Sequence, residues 1–214
     1  MNVRYKIPES LKNTTRRWAP LALLVVGAVL LVYVTFEYSS MFYQQRHLSA
    51  QWERQNVPST AAPPKAQDPR EQMTRLSIPS IDLDAIVVEG TSNKQLAIAP
   101  GHMTDTAAPG ETGNVVITAH RDTFFRHIFE LKKGDEILVR RGGKSFQYLV
   151  EKKFVVKPSE TWVARPTGDA RLTLLTCYPT YFVGPAPERL VVTAKLANPA
   201  ATTATAAPAR SGTE

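Results

Sequence analysis

The chain carries one cysteine in 214 residues, Cys177. A lone cysteine excludes an internal disulfide framework, so the thiol is core packing, a contact for a partner, or a nucleophile. Long apolar runs are almost as scarce. An apolar fraction of 43% suffices for a core but is too low for a multi-span membrane protein. There is no basic stripe interleaved with aromatics and no nucleic-acid-binding motif, which argues against a nucleic-acid partner. No internal repeat is present. The acids Asp82, Asp84, Glu89 and Asp105 lack EF-hand spacing, so they read as surface charges and no metal site is expected.

What the chain does have is charge in the wrong place for a uniformly soluble domain. Of a net +7, residues 1–18 hold Arg4, Lys6, Lys12, Arg16 and Arg17 against Glu9, whereas residues 73–197 hold 16 Lys/Arg against 13 Asp/Glu. The basic cluster precedes the one long apolar run, Ala19 to Phe36, 18 residues without a charge. As a helix this run is roughly 27 Å long, close to the thickness of bilayer hydrocarbon. Trp18, Tyr33, Tyr38 and Tyr43 lie near its ends, where amphipathic rings favour the interface. The positive-inside rule then puts the N-terminus in the cytoplasm and everything after Phe36 outside a plasma membrane crossed once. A cleaved secretory signal is the competing reading. Its apolar region would run about 7–15 residues, and Glu37-Tyr38-Ser39-Ser40 is a poor cleavage site, so an uncleaved anchor is favoured.

The chain therefore divides into a cytoplasmic basic segment (1–18), a transmembrane anchor (19–36), a juxtamembrane segment and Pro-rich linker (37–72), a globular domain (73–197) and a disordered tail (198–214). Residues 37–57 suit a short juxtamembrane helix. Pro58, Pro63, Pro64 and Pro69 then make a semi-stiff linker, and the Ala/Thr/Pro tail has little to bury. The domain reads as short strands: Thr74 to Ile78, Ala85 to Val88, Asn114 to Ala119, Glu136 to Arg140, Ser145 to Val156, and the runs 171–177 and 189–196. Asn114 to Ala119, built on Val115-Val116-Ile117, reads as a continuous apolar run, as in a strand buried on both faces. Asn93 to Ile98 and Phe124 to Leu131 are the helical exceptions. Turn signals at Pro109-Gly110, Gly134-Asp135 and Gly142-Gly143 punctuate an all-β pattern of antiparallel barrel or sandwich type.

Three of these runs carry chemistry at their ends. Arg171 to Thr176 leads to Cys177; Val115 to Ala119 leads to His120; Arg189 opens the last run. If the last two strands form a hairpin, Cys177 and Arg189 sit at one rim, and paired residues on one face have Cβ atoms roughly 5 Å apart. Cys177 would attack a carbonyl as thiolate, giving a thioester, although a free thiol with a pKa near about 8.5 is only slightly ionised at neutral pH. His120 would act as general acid for the leaving amine and base for the incoming nucleophile. Arg189 would stabilise the oxyanion or position the substrate. The bland readings are a cysteine buried as a small hydrophobe, and His102 as a structural imidazole in a turn. His127 and His47 read as solvated or packed. Arg121, Asp122 and Glu188 read as a local ion-pair network holding the histidine loop, worth little if exposed.

These residues carry a resemblance. Thr173-Leu174-Leu175-Thr176-Cys177 looks like the TLxTC box of the sortases, membrane-anchored cysteine transpeptidases of the bacterial cell surface, and Arg189 stands where their arginine stands. Ala119 to Phe125 and Cys177-Tyr178-Pro179 with Gly184 to Arg189 resemble the class D subgroup, with Ala119 in place of a frequent glycine. The resemblance covers about 74–196. It implies an eight-stranded β-barrel with short helices and the site in a groove at one rim. It implies surface proteins bearing a C-terminal LPxTG-like sorting signal, cleaved after threonine. The acyl group would pass to an amine acceptor, a wall precursor or a pilin lysine. Thr176, Tyr178, Thr118 and Glu188 are the groove residues expected by position, and no cofactor is expected. Two alternatives stay open: a cysteine peptidase that only hydrolyses, and a non-catalytic peptide-binding or scaffolding barrel.

Overall fold

The computed structural model describes residues 9–55, 73–182 and 184–201. The linker from Pro58 to Pro69 lies outside them. The chain separates into two units, Met1–Tyr43 and Gln44–Glu214.

The apolar run is helical, as expected. Helix α1 spans Glu9–Gln55, so the helix and the juxtamembrane segment read separately from the sequence are one element. Within it, Trp18–Gln55 is the single stretch among the described residues long and apolar enough to cross a membrane. Its apolar side chains, Leu21 to Phe36, are exposed. Thr35 donates its hydroxyl to the Leu31 carbonyl four residues back (2.8 Å), which satisfies a polar group in an apolar helix.

In the second unit, eight strands close into a barrel: β1 (Thr74–Ile78), β2 (Leu83–Glu89), β3 (Gly101–His102), β4 (Gly113–Thr118), β5 (Glu136–Arg141), β6 (Lys144–Val156), β7 (Ala170–Tyr178) and β8 (Glu188–Ala201). The spatial order is β1-β2-β3-β4-β7-β8-β6-β5, and β5 returns to pair with β1. The barrel is mixed rather than purely antiparallel, because β2–β3 and β4–β7 run parallel. The crossover from β4 to β7 needs a long connection, and the β5–β6 hairpin lies within it. This explains the apolar character of Asn114 to Ala119: all but one residue of β4 is buried. Strand β8 continues past the expected tail boundary, with Asn198 opposite Gln147 and Ala201 opposite Ser145.

Alternation sorts each strand into an inner and an outer face. Leu76, Ile78, Val115, Ile117, Ile137, Val139, Leu172, Leu174, Val192 and Ala194 form the inner core. Tyr148 is wholly buried there, and its hydroxyl accepts the Gly110 N–H at 3.0 Å. Burial raises the Tyr148 pKa, an effect the Gly110 bond partly offsets. Gly110 has φ +89°, and a Cβ there would meet the Phe146 ring at 2.0 Å, so only glycine fits this turn. Helix α2 (Asn93–Leu96) opens with a Ser92–Gln95 capping box. The segment 124–131 forms turns and a 3-10 turn at Ile128–Glu130 rather than the expected helix, with Phe125, Ile128 and Leu131 buried and Phe129 half-buried.

The end of α1 belongs to this unit. Ile86 lies on β2 where β3 is too short to pair with it, because β3 bonds only at Val88 and Glu89. The Gln45 side-chain amide fills the gap. It accepts the Ile86 N–H (3.0 Å) and donates to the carbonyls of Ile86 (3.2 Å) and Ile98 (2.9 Å). Arg75 pairs with Asp84 (2.6 Å) and lies 5.1 Å from the Trp52 ring centroid.

Candidate active site

Strands β7 and β8 form the expected hairpin, and their register sets Cys177 directly opposite Arg189. Directly opposed residues share a face. Leu172 and Leu174 face the core, so Cys177 stands on the outer face of the barrel, as does Arg189. On the other flank of β7, the parallel register pairs Thr118 with Leu175, and the Ala119 N–H extends it to the Leu175 carbonyl at 3.3 Å. The pairing ends there, so the chain leaves β4 through Ala119 and His120 beside the Cys177 end of β7. Ala119 is in the core, so His120 also falls on the outer side. Cys177 and Arg189 are half-buried and His120 is exposed.

Two hydroxyls strap β4 to β7 just beneath this level. Thr118 donates to the Leu175 carbonyl (3.0 Å) and Thr176 to the Ala119 carbonyl (2.7 Å). Thr176 is buried on the inner face, so it holds the backbone under the site instead of facing a solute. Thr118 lies on the outer face, two residues before His120. Tyr178 and Glu188 are directly paired with each other. Tyr178 packs against the core, on the face opposite Cys177, and lines a cavity of about 570 Å³ with Phe129, Val155, Phe182 and Leu190. The Glu188 carbonyl accepts from Arg189 Nη1 at 2.9 Å, and the Ala186 carbonyl accepts from the same nitrogen at 3.2 Å.

The rival imidazole is occupied. His102 is buried, with Nδ1 2.8 Å from Glu89 and Nε2 3.0 Å from the Ala107 carbonyl and 3.2 Å from the Thr106 hydroxyl. Arg141 reaches the other Glu89 oxygen at 3.1 Å. Burial pushes the Glu89 carboxyl up, but His102 and Arg141 outweigh it and hold the group below its ordinary range. His127 pairs with Glu130 at 2.7 Å on an exposed turn. Two of the acids considered for a cation pair elsewhere, Asp84 with Arg75 and Glu89 with His102.

A hollow of about 120 Å³ lies on the same outer face, four residues along β7 and β8 from the thiol and the guanidinium. Thr173, Thr193 and Asn114 line it, with Trp162 and Val163 from the connection between β6 and β7. Asn114 pins that connection: its Nδ2 donates to Val163 O (2.9 Å) and Arg165 O (3.2 Å), and its Oδ1 accepts from Thr173 (2.7 Å). Trp162 stacks on Phe154 with centroids 5.7 Å apart. The sequence reading missed these residues. A polar side chain opening an otherwise apolar buried strand, as Asn114 does, was the available signal.

A model of the sortase domain matches residues 76–197. The chain belongs to the sortase family. It is similar to sortase D of Bacillus subtilis, 37% identical over 121 residues, which is 56% of this chain and 61% of that one. Sortase A of Listeria monocytogenes is 31% identical over 106 residues, 48% of this chain and 47% of that one. This sortase thus aligns with about half to three-fifths of the length of those curated relatives. Among solved structures, a Clostridium perfringens sortase D5 transpeptidase superposes with TM-score 0.59 at 26% identity, over 75% of this chain and 99% of that one. Sortase C-1 of Actinomyces oris superposes with TM-score 0.56 at 28% identity, over 75% and 99%. The eight-stranded barrel is the fold shared with these structures.

Proposed function

We propose that this sortase is a cysteine transpeptidase of the cell envelope, with Cys177 as nucleophile, His120 as general acid and base, and Arg189 as oxyanion or substrate clamp. The observation that carries the reading is the register: one face of β7 brings Cys177 opposite Arg189 on β8 and level with the His120 end of β4. The Cys177 thiolate adds to the scissile carbonyl, and the tetrahedral oxyanion is met by the guanidinium. Collapse breaks the C–N bond, His120 gives its proton to the departing amine, and a thioester remains on Cys177. An incoming amine then attacks the thioester, His120 takes its proton, and the C–S bond breaks to release the Cys177 thiolate as a new amide forms. Among the described residues, the donor bonds of Arg189 to its own loop use Nη1, and Nε and Nη2 are offered to substrate.

The substrate is an extended peptide of LPxTG type lying on the outer face of β4, β7 and β8, with Thr118 on its floor and the Trp162–Phe154 stack further along. Thr176, Tyr178 and Glu188 act from beneath or beside that groove, as supports. The acceptor is an amine of a wall precursor or a pilin lysine. Helix α1 anchors the protein in the plasma membrane with its basic start in the cytoplasm, so the barrel works on surface proteins outside.

The full-length protein in detergent, given an LPxTG-type peptide with and without an added amine, tests the reading. Amine-dependent ligation product is expected. Hydrolysis indifferent to amine returns the peptidase alternative, and binding without turnover returns the scaffolding one.

A further inference from the structure

Arg121 follows His120 and is half-buried. The sequence reading assigned it to an ion-pair network; the structure gives it three carbonyl acceptors on the connection between β7 and β8. Nη1 donates to Pro179 O at 3.3 Å, and Nη2 to Phe182 O and Gly184 O, both at 2.8 Å. Its Cζ lies 6.0 Å from the Phe182 ring centroid. The connection also closes on itself, Phe182 N–H to Pro179 O at 3.3 Å. Its far end is held by Arg189 through Ala186 O and Glu188 O. The segment that leaves Cys177 and returns to Arg189 is therefore gathered onto two guanidinium groups. One of them is the neighbour of His120.

Three carbonyls converging on one side chain need several donors in a fixed plane. A guanidinium supplies five, whereas an ammonium is a point charge on a flexible stem. The backbone link is equally direct: Phe125 N–H donates to His120 O at 3.1 Å, so the turn carrying Arg121 is closed on the histidine itself. We propose that Arg121 is a positioning residue that latches the β7–β8 connection to the histidine turn and fixes the distance between the His120 side of the site and the Cys177–Arg189 side. The inference rests on the acyl-transfer reading for its effect on rate, and on geometry alone for the latch. Proximity terms of this kind are steep, since a displacement of about 1 Å costs on the order of 100-fold in rate.

The test uses the full-length protein in detergent with Arg121→Met, which keeps the stem and removes the donors, and Arg121→Lys, which keeps the charge without the fork. Amide exchange at Phe182, whose N–H is bonded to the Pro179 carbonyl that Arg121 also holds, is expected to rise about 10-fold in the methionine variant. Its kcat is expected to fall roughly 10- to 100-fold with a smaller change in KM. The pH profile of Cys177 alkylation should change as well, because the imidazole no longer keeps its place. The lysine variant should recover only part of each effect, and it carries the test if the methionine variant does not fold. Wild-type exchange at that amide in both variants overturns the latch. Raised exchange with an unchanged kcat and alkylation profile overturns the positioning role. If the wild type itself transfers no acyl group, the acyl-transfer reading falls, while exchange still decides the latch.

Discussion

At the scale of single residues, the site depends on groups that cannot substitute for one another. Arg189→Lys keeps the charge and loses the planar fork. It should lower kcat/KM by roughly 100-fold in steady-state ligation, comparable to loss of one oxyanion donor. Thr176→Val keeps the shape and removes the strap to the Ala119 carbonyl. Leaving that buried acceptor unpaired should cost about 1–3 kcal/mol of stability in chemical denaturation, and should slow turnover because the strap holds the β4–β7 register. Glu89 makes a prediction about pH. Its carboxyl is held below its ordinary value, 4.5, in the folded state. Its ionised form therefore stabilises the fold fully above the unfolded value, and that contribution is lost as pH falls through the folded one. Glu89→Gln should lower the thermal midpoint at neutral pH, and the gap to wild type should close in acid. An unchanged gap at low pH would contradict the assignment. That Cys177, His120 and Arg189 stand at strand ends was legible in the sequence because each ends or opens an apolar run. The buried role of Thr176 was not, because which face of β7 meets the core depends on partners far away in the chain.

At the scale of elements, β4 and β7 matter most. Their parallel pairing brings the end of β4 that leads to His120 beside the end of β7 that carries Cys177, and the short runs did not reveal that pairing. Periodicity gives a strand's existence and its faces, but parallel or antiparallel order comes from tertiary closure. The two-residue β3 was invisible for a related reason: Gly101-His102 is a strand only because Glu89 and Ile117 flank it. The connection between β6 and β7 is held on the outer face by Asn114. Asn114→Ala should free its 3-10 turn, Thr161–Ala164, and raise KM for peptide more than it lowers kcat, measurable in a ligation assay across peptide concentrations.

At the scale of the whole molecule, the boundary drawn at residue 73 is the reading most affected. Residues 44–55 group with the barrel, and Gln45 supplies the partner that β3 is too short to provide for Ile86. A glutamine in a polar helix carries no sequence signal that its amide will cap a strand. Gln45→Ala should therefore lower barrel stability by about 1–3 kcal/mol in denaturant titration, whereas a residue 45 of no structural consequence would leave the midpoint unchanged. The long apolar helix and the barrel class were readable from sequence, because hydropathy and strand alternation are local properties. The straps, the latch and the cap bridge about 40 to 60 positions in sequence.

The central claim is that Cys177 carries the acyl group, and intact-mass spectrometry of the full-length protein mixed with an LPxTG-type peptide tests it most directly. The predicted result is a covalent adduct on Cys177 with the mass of the peptide up to threonine, discharged on adding an amine, lost in Cys177→Ala and strongly reduced in His120→Ala and Arg189→Ala. Ligated product from Cys177→Ala, or turnover by the wild type with the thiol free of adduct under trapping conditions, would contradict it.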